Sequence, residues 1–477
     1  MTLSRYTIRT LFAGAGFALL IGTASAQQQP LPEKDRSATS KVLEYRDIPR
    51  GGIPAEELKE AQANFAKFAR YYAEVVAHPS VYKTPQEFKL APPGTVPLAL
   101  DGPNGIIQDL NRFTLEAVPN STRVGPGQAV YIREFGAAFD AALKELIEKH
   151  PQAIVRVNAA RLLAVVCKSG SPAHYPTLTG LLSNANTRTE IKYYLLQAAG
   201  NLLSAYDPDW LKTRNHVAQT ENPKMVGALI KVVNDAVTDP TLIVSGLRPK
   251  LEGATPDQLA VVGMVRRQAI KALAQVRYVT VTGPDGNPLY PVQTLCRVAL
   301  SDPKLVPEPG PADAAEAVIG ICNMAPVEPR GDRIKPLKYN ADAALEAINA
   351  GLITFASPRA RDAFDIQLPW RSYALRIAEA LRNWRMLLDP DFEVTRPNTY
   401  DPSRVPKSVE EFYKDVVPKV LAPMDRVDAA GKPDVGSAVR IEDLRSRLTT
   451  VRANPKRPLV LIPDVPATSI DLGPPKK

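Results

Sequence analysis

The sequence predicts an all-α chain built from stacked helix pairs. Three observations carry that prediction. First, a helical phrase recurs, as VRVNAARLLAVV from Val155, VRRQAIKALAQV from Val265 and WRSYALRIAEAL from Trp370, with Arg second, Ala fifth and aliphatics in the following turns. Second, apolar residues along these stretches step by three and four, the period of one helix face. Third, proline is abundant, 45 of 477 residues, against an average of about 5%. It clusters at 30–54, 79–126, 303–311, 326–336 and 389–477, between or outside the periodic segments, where it ends helices and stiffens connections. Self-similar units of this kind bury their apolar faces only by stacking on neighbours.

The first 26 residues read as a secretory signal peptide. Arg5 and Arg9 supply the basic start, Leu11 to Gly22 a short apolar stretch, and Ala24-Ser25-Ala26 the small residues of a cleavage site after Ala26. The apolar run falls short of the roughly 20 residues needed to span a bilayer. The expected location is therefore periplasmic or extracellular, with no membrane span once the signal is removed. Removal takes the formal charge from +9 to about +7, in a chain with 59 basic and 50 acidic residues. The basic residues are dispersed, which argues against nucleic-acid binding.

Residues 27–53 read as a disordered linker. A helix is expected from near Pro54, with Leu58, Ala61, Phe65, Phe68, Tyr72 and Val75 on one stripe. The remainder of 54–127 reads as irregular, with Leu110 to Glu116 a candidate short strand. The array is expected over 128–388. Its helices are Tyr131 to Lys149, Ala153 to Lys168, Tyr175 to Ser183, Thr189 to Ser204 and Met225 to Val237, then the Val265, Asp313 and Trp370 copies. Glu190 to Leu203 sits one unit after the Val155 phrase, and Val265 about two ~40-residue units further on. Tyr278 to Thr282 and Leu289 to Val292, joined by Gly283-Pro-Asp-Gly-Asn-Pro288, predict a β-hairpin projecting from the array. Residues 389–477 read as a Pro-rich extension with two short helices, Val409 to Leu421 and Arg440 to Val451. Its tail holds Leu459 to Ile462, either docked on the array or serving as a binding peptide.

The pattern V-R-x-x-A-A-x-x-L after a break such as His150-Pro151 resembles the second helix of a HEAT repeat, over about residues 128–388. The resemblance implies an α-α superhelix of five or six helix pairs. It also implies that the matched Arg156, Arg266 and Arg371, with Lys192 replacing Arg in the second unit, bond between neighbouring repeats. The uneven spacing and Pro-rich insertions depart from the family pattern.

Catalytic and metal-binding patterns are scarce. The four histidines show no paired helical spacing, and His78 and His150 read as turn residues before Pro. There is no G-x-S-x-G elbow, and Gly125-Pro-Gly127 lacks the Lys and Ser/Thr of a phosphate loop. Cys167, Cys296 and Cys322 each sit in an apolar helical context and read as buried thiols. Arg330-Gly331-Asp332 spells a cell-adhesion tripeptide, in what reads as an ordinary polar loop. Of Tyr193 and Tyr194, one is expected to face solvent.

The one candidate binding feature is the Trp370 helix. Trp370, Tyr373, Ile377, Leu381 and Trp384 form its apolar side, and Arg371, Arg382 and Arg385 fall within about 60° of one another at 100° per residue. These arginines are either a basic ridge for an acidic partner or a solvated face near Glu379 with one structural Arg. No catalytic residue, metal or cofactor is expected. The function these readings favour is a binding or scaffold protein of the cell envelope, with another protein as partner. An envelope-polymer-associated structural protein and a HEAT-like lyase are the alternatives.

Overall fold

The computed structural model describes residues 32–47, 53, 55–82, 99–102, 105–117, 126–205, 223–244, 251, 253–330, 333–356, 370–389, 400–417 and 458–471. Among these the chain is mostly helical. The helices are α1 (Arg36–Asp47), α2 (Ala55–Ala77), α3 (Ile106–Ala117), α4 (Pro126–Lys149), α5 (Ala153–Val166), α6 (His174–Ser183) and α7 (Thr189–Ala205). They continue with α8 (Pro223–Thr238), α9 (Pro256–Leu273), α10 (Pro291–Ala299), α11 (Pro311–Cys322), α12 (Ala341–Phe355), α13 (Trp370–Leu387) and α14 (Lys407–Val416). Three antiparallel two-stranded sheets are added by β1 (Val281–Thr282) with β2 (Pro288–Leu289), β3 (Val327–Arg330) with β4 (Arg333–Pro336), and β5 (Leu459–Val460) with β6 (Ser469–Ile470).

The prolines do more than interrupt helices. Pro126, Pro223, Pro256, Pro291 and Pro311 are each the first residue of a helix, where a missing N–H costs nothing and the fixed φ is already helical. At α9 the start is reinforced by a reciprocal cap. Thr255 Oγ1 accepts from Gln258 N, and Thr255 N donates to Gln258 Oε1 at 2.8 Å. At α12, Asn340 Oδ1 accepts from Ala343 N.

Alternate helices touch. α5 packs on α7, α7 on α9, α9 on α11 and α11 on α13, while α4 meets α6, α6 meets α8, α8 meets α10, α10 meets α12 and α12 meets α14. Sequential neighbours pair across, α4 with α5, α6 with α7, α8 with α9 and α10 with α11. Small residues permit the close approaches. A Cβ on Gly320 of α11 would lie 2.9 Å from Ala274 Cα, and one on Gly200 of α7 would lie 3.2 Å from Ala272 Cα. The core is aromatic at the N-terminal end, where Phe65 and Phe68 of α2 meet Tyr131, Phe135 and Phe139 of α4. Further along it is mainly aliphatic, with Val155, Leu195, Val265, Val318 and Ile348 fully enclosed, though Tyr175, Phe355 and Trp384 are buried there too.

The basic residue of the recurring phrase is structural in two copies. Arg266 is fully buried and donates from both terminal nitrogens to the carbonyls of Pro307 and Val306, in the connection between α10 and α11. Lys192 is equally enclosed and reaches Leu242 O at 3.4 Å, in the connection between α8 and α9. Each cation thus ties one helix to the connection inside the following pair. Arg156 differs, donating to His150 O just ahead of its own helix.

Several expectations are corrected. The linker read as disordered contains α1, whose Ala38, Val42 and Tyr45 are buried and which packs on α2. The candidate strand at Leu110 to Glu116 is part of α3, because Ile106, Leu110 and Thr114 recur at helical spacing on a buried face. The hairpin after α9 exists but does not project. Its pairing is limited to Val281 with Leu289 and Thr282 with Pro288, and Pro291 and Val292 already belong to α10. Tyr278, Val279 and Thr280 are buried at its root, β1 lies against α8, and Val279 N donates to Ala325 O. The stretch around Arg330 is no plain loop but the β3–β4 hairpin, with Arg330 opposite Arg333; Gly331 and Asp332 lie outside the described residues. Tyr193 and Tyr194 are both half-buried, their rings edge-on at 5.2 Å. The signal segment and the helix expected over Arg440 to Val451 also lie outside the described residues.

The tail docks. Leu461 and Ile462 are buried, Leu461 O accepts from Asn340 N at the head of α12, and Gln293 of α10 donates to Ala467 O at 2.6 Å. Buried Thr468 ties the loop together, accepting from Ile462 N and donating to Val465 O.

Candidate functional site

The Trp370 helix, α13, buries the face expected of it. Tyr373, Ile377, Leu381 and Trp384 are enclosed, with Ala374 and Ala380 between them. Its arginines part company. Arg382 is exposed. Arg385 is largely covered and committed within the chain: its guanidinium stands 3.9 Å from the Tyr413 ring centroid and 5.2 Å from that of Tyr400, and it pairs with the buried Glu410 of α14 at 3.4 Å. It therefore fastens α14 to α13 and is no part of an open ridge. The side chain of Arg371 lies outside the described residues.

The more developed polar surface is built from three successive contacting helices, α9, α11 and α13. Glu316 of α11 is 1% exposed at its side chain, yet three cationic or polar groups converge on it. Arg376 of α13 donates both terminal nitrogens to it, at 2.9 and 2.7 Å, and Lys271 of α9 lies at 3.7 Å. Tyr373 also bonds it, and burial followed by the nearby carboxylate pushes the Tyr373 hydroxyl well above the usual phenol range. One turn earlier, Asp313 accepts from Arg267 Nε at 2.8 Å and from Gly310 N at 3.0 Å. Two carboxylates thus hold three long cations in fixed positions, with Arg267, Lys271 and Arg376 each 36–43% exposed at the side chain. The strip continues through α7 and α5. Tyr193 lies within electrostatic reach of Arg267, and the Arg161 guanidinium stands 5.8 Å from the Tyr194 ring centroid while pairing with Asp101. Cations and tyrosines held in this manner suit recognition of an acidic surface.

The sequence reading misses this strip, since it depends on which face of α9 and α11 turns outward. The available signal is the doubled Arg266-Arg267, of which one residue is structural and the other superficial.

A second polar cluster is mostly buried. His174 Nδ1 meets Asp140 Oδ1 at 3.1 Å, and Thr177 Oγ1 donates to Asp140 Oδ2 at 2.7 Å. Ser171 is close by, against Gly136. The residue types are those of a nucleophile, base and orienting acid. Ser171 Oγ and His174 Nε2 nevertheless make no hydrogen bond to each other or to any other group, and both residues are fully buried. The cluster forms a polar joint between α4 and α6.

Cys167, Cys296 and Cys322 are free, buried thiols, and burial pushes each thiol pKa up. Among the described residues no group of three or more His, Cys, Asp or Glu is placed to hold a metal ion. Among them, too, no helix is long and apolar enough to cross a membrane. No protein-family model, curated protein or solved structure matches the chain.

Proposed function

We propose that this is an exported binding or scaffold protein of HEAT-like superhelical design, acting in the cell envelope on another protein with an acidic surface. The strip across α5, α7, α9, α11 and α13 is its binding face. The observation that carries this reading is the clamping of Arg267, Lys271 and Arg376 by two buried carboxylates, Asp313 and Glu316. Clamped cations lose little side-chain entropy when a partner docks, so each contact retains more of its gross energy. Alternate helix packing and the buried cations Lys192 and Arg266 support the repeat design.

The test is crosslinked capture from the envelope fraction with protein beginning at Gln27. The comparison is a variant carrying Arg161→Ala and Lys271→Glu, with circular dichroism confirming its helical content. A reproducible protein captured by the unaltered chain and lost from the variant is the expected result. A partner kept by the variant places the binding face elsewhere, and absence of any partner removes the binding reading. Sequencing the N-terminus of the exported product tests cleavage after Ala26.

A further inference from the structure

The helices ahead of the array hold a second feature, independent of the strip. Lys34 lies two residues before α1, in a segment without regular secondary structure, and its ammonium enters a ring of four aromatic side chains. The distances from Nζ to the ring centroids are 4.7 Å for Phe113, 5.5 Å for Tyr72, and 5.8 Å for both Phe68 and Tyr71. Asp109 closes the ring, accepting from Lys34 Nζ at 2.9 Å and from the Tyr72 hydroxyl at 2.7 Å. The cage is thus built by α2 and α3, and its occupant comes from a third segment.

Two of the rings have other work. Phe68 and Tyr72 are buried against Phe139 of α4. Tyr71 and Phe113 are only half-buried, and their faces complete the cage. The salt bridge to Asp109 and a bond to the Tyr72 hydroxyl at 3.3 Å would satisfy the lysine; they do not require the further rings of Phe68, Tyr71 and Phe113 around the cation. Aromatic enclosure with one carboxylate is the general solution for gripping an alkylammonium group, because the ring quadrupoles attract the charge and also accept the methylene stem. The cage opens to solvent, since the Lys34 side chain is 29% exposed and that of Asp109 is 43% exposed.

The geometry points to a binding site for a lysine-type alkylammonium group carried on a non-helical peptide segment, kept closed by the chain's own Lys34. The present occupant defines the ligand class: a four-carbon ammonium side chain presented by non-helical backbone. A partner lysine competes with Lys34, which has the advantage of a short tether and hence a high effective concentration.

The test uses the full chain from Gln27 and two probes, Nα-acetyl-lysine-N-methylamide and its Nε-trimethylated form, titrated by NMR against the aromatic side-chain signals. Lys34→Ala is expected to bind both probes, with roughly tenfold or greater gain over the unaltered chain. Adding Phe113→Ala is expected to cut that binding about fivefold. Lys34→Glu, whose carboxylate is repelled by Asp109, serves as the second opened variant and should show the same gain. If both opened variants fold but bind neither probe more tightly than the unaltered chain, Lys34 is only a structural clamp and the proposal fails. Binding indifferent to Phe113→Ala overturns it equally, since the probe would then sit elsewhere.

Discussion

Arg376 on α13 holds Glu316 on α11 with both terminal guanidinium nitrogens, although the carboxylate is almost wholly enclosed and the arginine is not. The two partners are therefore unequal. Removing the arginine takes two short bonds from a buried carboxylate and leaves it Lys271 at 3.7 Å and the Tyr373 hydroxyl, whereas neutralising the carboxylate leaves an arginine that water can reach. Arg376→Ala should cost about 1–3 kcal/mol, less than a fully buried pair because Arg376 is partly solvated. Glu316→Gln should cost less than Arg376→Ala. Urea unfolding of the two variants decides it, and a larger loss for Glu316→Gln would contradict the assignment of burial.

The close helix approaches predict opposite outcomes for two glycines. A methyl on Gly320 would stand 2.6 Å from Leu295 Cδ1 and 2.8 Å from Ala274 Cβ, so Gly320→Ala should destabilise by about 1–3 kcal/mol through overpacking. Gly263, inside α9, has nothing within 4 Å of its would-be Cβ. Gly263→Ala should stabilise by about 0.4–1 kcal/mol by restricting the unfolded chain. Melting temperatures that shift in opposite directions are the expected readout.

Arg266 tests whether the recurring cation acts by charge or by shape. Its fork serves two carbonyls at once, a geometry that lysine does not reproduce. Arg266→Lys should cost about 1–3 kcal/mol, from one carbonyl left without its donor in the interior. Stability equal to that of the unaltered chain would show that a buried positive charge suffices there, as Lys192 does in the earlier unit.

The buried thiols predict an alkaline weakness. Burial holds the pKa values of Cys167, Cys296 and Cys322 above the ordinary thiol value, so the folded chain keeps protons that the unfolded chain releases. Their contribution is complete below about pH 8.5 and declines as pH rises beyond it. Tyr72, Tyr339 and Tyr373, also shifted upward mainly by burial, add to the decline from about pH 10. Urea midpoints measured between neutral and alkaline pH should fall. Replacing the three cysteines by Ala should flatten the first part of that fall.

Helices α9 and α11 are legible because a defined start precedes an apolar run, at Thr255-Pro256 and Gly310-Pro311. α12 is harder to read: its Ala-rich string from Ala341 offers little contrast between faces, and nearly all of it is buried. The β3–β4 hairpin is hidden by Pro329 and Pro336, which oppose strand assignment on general grounds yet are tolerated where a two-stranded sheet has only edges. In the candidate strip, the side chains of α13 can be assigned to faces by periodicity. That Arg385 is consumed by Glu410 is not local information, because the carboxylate arrives from α14. The Lys34 cage draws on three stretches, around residues 34, 68–72 and 109–113, and no spacing rule joins them.

The tail binds far from its place in the chain. Gln293 and Ala467 meet across 174 positions, and Asn340 receives Leu461 at the head of α12. α10 and α12 thus acquire this contact only once the chain has been extended well past α14, to residues 458–471. Local helix pairs can form as they emerge, whereas this closure carries the entropic burden of a long loop and comes late. Removing residues 458–471 would take the acceptor from Asn340 N at the head of α12 and loosen the Gln293 tie on α10, so faster amide exchange at those two helix starts would mark a chain in which this closure has not formed.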